Sequence, residues 1–475
     1  MDKVYLAADF GGGSGRIMAG WLENGHLHMK EIHRFGNRQI RLGDTLYWDF
    51  PALFDELVNG LKKAKALGYP VASLAVDTWG VDFGLIDRDG KLLGNPVCYR
   101  DNRTAGIPEK VATILDPQAH YATTGIQVME INTLSQLFSM KGSAQLEAAH
   151  RLLFMPDLFS YFLTGNANNE YSIASTSELL DARKRNWSWE TIRTLELPEH
   201  LFGEIVMPGT VRGFLRPEIA EETGLGPIPV IAVGSHDTAS ALAAVPATTE
   251  DGPVTFLSSG TWSLLGVELP EPILTEEARQ AGFTNEGAVG GGIRFLQNIT
   301  GLWILQRLME EWKERGEEQH FDTLIPAAAA AEVRCRIPVT DPAFMNPTSM
   351  ETAIRDYCQQ SGQPEPNTPA EMTRCVLESL ASQYKEAVEG LKSILPDPPR
   401  RLHIIGGGSQ NTLLNQLTAD ALNLPVSAGP VEATAMGNIL VQAMAAGEVT
   451  DLKDLRNVVR NSVNPLLFTP KTAQS

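Results

Sequence analysis

The chain has 475 residues, 43% of them hydrophobic and 20% charged, with a formal net charge of −18. That length exceeds one ordinary core and predicts at least two domains. The acidic balance argues against a nucleic-acid-binding surface, and no run approaches the 18 apolar residues of a membrane span. The opening thirty residues do not read as a secretory signal, so a cytoplasmic location is expected.

In chain order, "VYLAADF" (Val4–Phe10) reads as a buried strand and "GGGSG" as a turn. "RIMAGWLENGHLHMKEI" follows as a hairpin turning at Asn24-Gly25. "FPALFDELVNGLKKAKAL" predicts a helix and "VASLAVDTWG" a buried strand. "VDFGLIDRDGKLLG" predicts a second hairpin at Asp89-Gly90, and "IPVIAVGSHDTASALAAV" a strand running into a helix. A boundary falls at "VPATTEDGP", Val245 to Pro253. Beyond it "VTFLSSGTWSLLGVEL" repeats strand, small-residue turn and strand. "RLHIIGGGSQNTLLNQLTADAL" predicts strand, turn and helix, with Leu413, Leu414, Leu417 and Ala421 on the buried face. The closing "FTPKTAQS" reads as a loose tail. The two halves are therefore expected at 1–245 and 246–468. The four cysteines fit no zinc spacing; Cys358 and Cys375 flank a turn-rich loop and are weighed as a disulfide pair.

The glycine turn selects among phosphate sites. It lacks the Lys-Ser/Thr of a P-loop. It also lacks the third glycine and following helix of a dinucleotide site, which removes a nicotinamide-dependent oxidoreductase. A β-hairpin turn whose backbone N–H groups wrap phosphate remains, with Ser14 adding a hydroxyl. Asp9, beside that turn, would repel phosphate without a cation, so Mg²⁺ is implied, held through water. On the acceptor side His236 and Asp237 follow a buried strand at a helix start; Asp237 reads either as an N-cap or as a proton acceptor kept ionised by the helix. Arg100, Asp101 and Arg103 beside Tyr99, with Trp79, read either as a solvated turn or as a polyol site.

"DFGGGSGR", "VDTWGVDF", "YRDNRT", "MPDLFSYFLTG", "SHDTASA", "LSSGTWSLLG", "NITGLWILQR", "GGGSQNTLLNQLTADA" and "GPVEATAMGN" together resemble the FGGY family of carbohydrate kinases, from about Val4 to Phe468. The resemblance implies an α/β fold of two RNase-H-like (actin-like ATPase) domains with an interdomain cleft. It implies ATP with Mg²⁺, and transfer of phosphate to the terminal hydroxyl of an open-chain ketose, L-rhamnulose being expected and L-fuculose or xylulose the alternatives. By the same resemblance Gly12, Gly13, Ser14, Gly15 and Arg16 match the first phosphate loop, and Thr261, Gln306 and Gly407 further ATP contacts. Gly80, His236, Asp237, Thr238 and Asn298 match the sugar site, with Asp237 as the catalytic base. The first loop departs from the family's usual Ala-Ser-Ser-Gly-Arg. A rival of another class is an actin- or Hsp70-like ATPase without a sugar acceptor, which has no use for "YRDNRT" or Asp237. A small-molecule enzyme, monomer or homodimer, with no nucleic-acid or membrane partner, is expected.

Overall fold

The computed structural model describes residues 2–345 and 347–471. Of the expected tail, residues 472–475 lie outside the described residues. Two compact units divide the chain: residues 1–246, 268–295 and 433–462 form the first, and 247–267, 296–432 and 463–475 the second. The first break, after residue 246, falls where the sequence placed a boundary, and segments 268–295 and 433–462 then return to the first unit.

The first unit is built on a six-stranded sheet. Its strands are β1 (Val4–Phe10), β2 (Ser14–Glu23), β3 (His26–Gly36), β4 (Val71–Thr78), β5 (Val211–Phe214) and β6 (Pro229–Ile231), in the order β5-β6-β4-β1-β2-β3. β1 is antiparallel to β2 and parallel to β4, so Asp9 lies opposite Arg16 on one side and Asp77 on the other. Val4 to Ala8 are fully buried, as a central strand covered on both faces requires. The β2–β3 turn places Asn24 at φ 52° and Gly25 at φ 75°, the conformation for which Asn-Gly is favoured.

Helix α1 (Phe50–Ala66) starts where the Asp49 carboxylate accepts from the Ala52 N–H at 3.3 Å. It buries Phe50, Leu53, Leu57, Leu61 and Ala64, a 3.6-residue stripe. Helix α2 (Asp237–Ala243) packs against helix α3 (Ala433–Ala445), which also packs on β1 and β4. The second expected hairpin is present but short. Asp87 accepts the N–H groups of Asp89 and Lys91 on its side chain, both at 2.9 Å. Its own N–H donates to the Lys91 carbonyl at 2.9 Å, Leu93 N–H donates to the Leu85 carbonyl at 2.8 Å, and Ile86 and Leu92 form an antiparallel bridge. On its other edge strand Phe83–Ile86 pairs with Arg151–Phe154.

In the second unit, β7 (Thr255–Ser259), β8 (Trp262–Leu269), β9 (Ile293–Thr300), β10 (Leu402–Ile405), β11 (Val426–Ala428) and β12 (Leu466–Phe468) follow the order β9-β8-β7-β10-β11-β12. The predicted strand–turn–strand and strand–turn–helix are present at 255–269 and 402–422. The helix Thr412–Leu422, however, buries Leu414, Asn415, Thr418, Ala419 and Leu422, not the leucine stripe. Asn415 donates to the Ser409 carbonyl at 2.8 Å and Thr418 to the Leu414 carbonyl at 2.7 Å. Each polar side chain makes a hydrogen bond inside, although Asn415 Oδ1 is left without a partner, so polarity did not keep that face in water. All four cysteines are buried free thiols.

Candidate functional site

The glycine turn of the first unit is held from beneath. Gly11 N–H donates to the Ser14 carbonyl at 2.8 Å, Asn37 Nδ2 donates to the Gly11 carbonyl at 2.8 Å, and Asn37 N–H to the Gly13 carbonyl at 3.0 Å. Gly12 and Gly13 are exposed, and a Cβ at either would touch nothing within 4 Å. Neither has a left-handed φ. No packing or left-handed backbone conformation requires glycine at these two positions, and their bare backbone leaves room for a ligand to approach closely. Gly15 differs, since a Cβ there would lie 2.3 Å from the Phe35 ring. Ser14, Gly15 and Arg16 already belong to β2, so the turn is confined to Gly11–Gly13.

Asp9 and Arg16 face each other. Arg16 Nε and an Arg16 terminal nitrogen both donate to Asp9 Oδ2, at 3.0 and 2.9 Å. The sequence reading gave these two residues separate tasks; cross-strand register brings them together. Behind Asp9 stands Asp77, fully buried, which sequence reasoning passed over. Burial pushes its carboxyl well above the usual range, and the neighbouring Asp9 adds to the shift. Asn438 Nδ2 opposes it, donating to Asp77 Oδ2 at 2.6 Å, while Asp77 Oδ1 has no partner. Asp237 also contributes to the repulsion. Asp9 and Asp237 thus both raise Asp77, whose one buried oxygen is unsatisfied, a concentration of negative charge that a nearby cation would relieve; among the described residues no group of three or more His, Cys, Asp or Glu is placed to ligate such an ion directly.

Asp237 is the first residue of α2, and the cap position belongs to His236, so the N-cap reading fails. Thr238 donates to Asp237 Oδ1 through its N–H at 2.6 Å and its hydroxyl at 3.0 Å. Burial raises the Asp237 carboxyl from its ordinary value, His236 offsets this and Asp9 reinforces it. The helix start therefore does not keep it a weak base. About a third of its side chain, 33%, still reaches solvent, which leaves access for a hydroxyl. The backbone here is pinned by Glu170: its Oε2 accepts from Ser235 N–H at 3.1 Å and from the Ser172 hydroxyl at 2.6 Å, and Ser172 Oγ accepts from His236 N–H at 3.2 Å. Burial lifts the Glu170 carboxyl to about 7.

Gly80 lies against His236: a Cβ there would sit 3.3 Å from His236 Nε2. Its neighbour Val81 has φ 65°, a strained conformation for a β-branched residue. The strain is held by hydrogen bonds: Thr176 Oγ1 accepts from Val81 N–H at 3.2 Å and the Thr133 hydroxyl donates to the Val81 carbonyl at 2.7 Å. Next to it Asp82, fully buried, accepts from Trp48 Nε1 at 2.6 Å, Gln136 Nε2 at 2.9 Å, Trp79 Nε1 at 3.0 Å and Tyr99 N–H at 3.2 Å. Trp79 is thus 7% exposed and packed against Trp48, the rings tilted by 40° with centroids 4.2 Å apart. It supports the segment from behind and is not a bare sugar-facing ring. Arg103 donates to Gln136 Oε1 at 2.8 Å and Asp101 accepts from Leu46 N–H at 2.8 Å, so "YRDNRT" is a buttress of this hub, not a solvated turn.

In the second unit Thr261 occupies the β7–β8 turn, and its hydroxyl lies 3.2 Å from Gln306 Oε1. Gln306 is on the helix Trp303–Glu314. Gly407 opens the turn after β10, with free space where a Cβ would be; at Gly408 a Cβ would collide with Ser259 Oγ at 2.0 Å. Asn298 is half-buried on β9. The four residues fall in this unit; Asp9, Gly12–Arg16, Gly80 and His236–Thr238 fall in the first.

Among the described residues no helix is long and apolar enough to cross a membrane. The N-terminal domain profile of the FGGY family of carbohydrate kinases matches residues 4–244, and its C-terminal domain profile residues 255–446. A rhamnulokinase of Bacteroides thetaiotaomicron is 44% identical over 473 residues, 99% of this chain and 96% of that protein. A rhamnulokinase of Bacillus subtilis is 39% identical, covering 98% and 96%. The fold matches a ligand-bound xylulose kinase of Lactobacillus acidophilus, TM-score 0.81 at 15% identity, over 99% of this chain and 94% of that one. A Plasmodium falciparum glycerol kinase with ADP superposes at TM-score 0.79, also at 15% identity and with the same coverage. Two actin-like α/β units, each with a small-residue turn between its first strands, and profiles that span nearly the whole chain place this protein in the FGGY family of carbohydrate kinases.

Proposed function

We propose that the protein phosphorylates L-rhamnulose at O1, using ATP as its magnesium complex, and does so in the cytoplasm. The observation that carries the reading is the end-to-end similarity to curated rhamnulokinases at 38–44% identity. The site geometry agrees with a carbohydrate kinase. Asp237, raised by burial yet a third accessible, has the properties of a general base that takes the O1 proton as the bond to phosphorus forms. Thr238 holds Oδ1 of that carboxylate, which leaves Oδ2 for the proton. His236 borders that carboxylate and Gly80 borders His236; with Thr238 and Asn298 they are assigned to the sugar. Gly12, Gly13 and Ser14, with Thr261, Gln306 and Gly407, are assigned to ATP, whose phosphates the exposed N–H groups of the glycine turn suit. Asp9, backed by Asp77, would hold Mg²⁺ through water. When bound, the ion supplies charge neutralisation on the phosphates. Arg16 keeps Asp9 in place and is not free for phosphate as the structure stands.

The test is a coupled ADP-release assay with L-rhamnulose, L-fuculose and xylulose side by side. The reading requires kcat/KM for rhamnulose to exceed the others by at least about tenfold, a margin that one or two lost hydrogen bonds supply. Equal rates on xylulose would refute the substrate assignment, and ADP release without any ketose dependence would refute the kinase.

A further inference from the structure

His236 is approached from both ring nitrogens. On the Nδ1 side an Arg294 terminal nitrogen lies 2.9 Å away and Glu286 Oε2 3.4 Å away. Arg294 is fully buried; its Nε donates to the Gly287 carbonyl at 2.8 Å and its other terminal nitrogen stands 3.1 Å from Glu286 Oε2. On the Nε2 side are Asp237 Oδ1, at 3.5 Å, and the space beside Gly80. Glu286 and Arg294 thus form a pair against Nδ1, and Asp237 stands on the Nε2 side.

A guanidinium only donates hydrogen bonds. The 2.9 Å contact therefore makes Nδ1 an acceptor, and the proton of the neutral ring resides on Nε2. Glu286, the one acceptor that would have favoured a proton on Nδ1, is the more distant neighbour and is taken up as the counter-ion of Arg294. We propose that Glu286 and Arg294 are positioning residues that lock His236 in its Nε2–H tautomer. In that form it presents a hydrogen-bond donor, and not a second base, on the sugar side of Asp237. The ligand chemistry follows. Such a donor recognises an oxygen able to accept next to the reacting hydroxyl, as the carbonyl of an open-chain 2-ketose does, while proton removal is left to Asp237 alone. Arg294 and Glu286 lie far from His236 in sequence, and no motif names them. The inference rests on the reading of Asp237 as the base, but the tautomer itself does not.

The experiment is nitrogen-15 spectroscopy of the whole protein labelled at histidine, without substrate, with the His236 signals identified by their loss in His236→Gln. The expected pattern is a protonated Nε2 and an unprotonated Nδ1 near pH 8. A protonated Nδ1 in the wild type overturns the proposal, whatever the enzyme's substrate. In Arg294→Met the proton should move toward Nδ1, facing Glu286. The sugar KM should rise about 10- to 100-fold with a smaller change in kcat. Arg294→Lys, which keeps a cationic donor, should fall between. An unchanged His236 spectrum or an unchanged sugar KM in Arg294→Met overturns the proposal. If that variant does not fold, the wild-type spectrum decides alone. Absence of ketose phosphorylation in the wild type, by contrast, would strike the proposed function and leave the tautomer result intact.

Discussion

Gly437 on α3 is the point at which helix α2 is gripped. A Cβ there would lie 1.8 Å from the Ser240 carbonyl oxygen and 2.6 Å from its carbon, both backbone atoms of α2. Carbon–oxygen contacts below about 3.0 Å are essentially not seen, so Gly437→Ala must part the two helices by roughly 1.2 Å, since no rotamer can yield. Overpacking of this kind costs about 3 kcal/mol at the upper end of its range, and the better helix propensity of alanine returns about 1. The net loss is then about 2 kcal/mol. In a unit of about 300 residues that is a fall in Tm of roughly 3 °C. Activity should suffer more than stability. Asp237 begins the displaced helix, and a misplacement of about 1 Å at a reacting group costs on the order of 100-fold. The assay pairs thermal unfolding with kcat at 25 °C, where the variant is still folded. A Gly437→Ala protein with Tm within 1 °C and kcat within twofold of wild type (about experimental error on each scale) would refute the reasoning.

Asp237→Asn should lower kcat by roughly 10²–10⁴-fold with little change in sugar KM; retention of a third of wild-type kcat in a steady-state ADP assay rules out Asp237 as the base. Asp9→Asn should raise the Mg²⁺ concentration for half-maximal rate by about tenfold or more, because one carboxylate charge of the cluster is lost; a Mg²⁺ titration superimposable on wild type contradicts the metal assignment. Asp82 carries a pH signature. Burial lifts its carboxyl from an ordinary 3.8 to about 6, against the opposing hydrogen bonds of Trp48, Gln136 and Trp79. The folded state then binds the proton more tightly than the unfolded chain, so this group's contribution to stability falls as pH rises from about 4 to about 6 and is level above. Urea unfolding across that window should show a shallower decline in Asp82→Asn than in wild type, and an unchanged slope would count against it.

Local signals in the sequence were read well. Asn24-Gly25, the α1 stripe and the strand–turn–strand at 255–269 depend on neighbours within a few residues, and the structure has them. The glycine turn was legible for the same reason. Residues whose meaning comes from distant partners were not. Asp77 looked like any strand-end carboxylate until parallel register set it opposite Asp9. Trp79 looked like a sugar platform because nothing local announced that Asp82 would take its indole N–H. Leu413, Leu417 and Ala421 were chosen by apolarity, yet the buried face runs through Asn415 and Thr418, whose partners lie within the turn and the helix. Asn37, which braces the glycine turn across the sheet, gave no signal at all.

The return of residues 433–462 to the first unit has a consequence for the order of folding. Asn438 supplies the hydrogen bond that Asp77 accepts, and Gln442 donates to the Leu6 carbonyl at 2.9 Å, a link across 436 positions of sequence. On the ribosome the first 246 residues emerge long before α3 does. Until α3 arrives, β1 and β4 lack the helix that covers them, Asp77 lacks its donor, and α2 lacks the partner at Gly437 that fixes Asp237. A nascent or truncated chain therefore holds the glycine turn before Asp77 has its donor and before α2 has its packing partner. Because these contacts join segments 361 and 436 positions apart, they form only after the second unit's chain has been made, which puts the finishing of the first unit's core among the last events of folding.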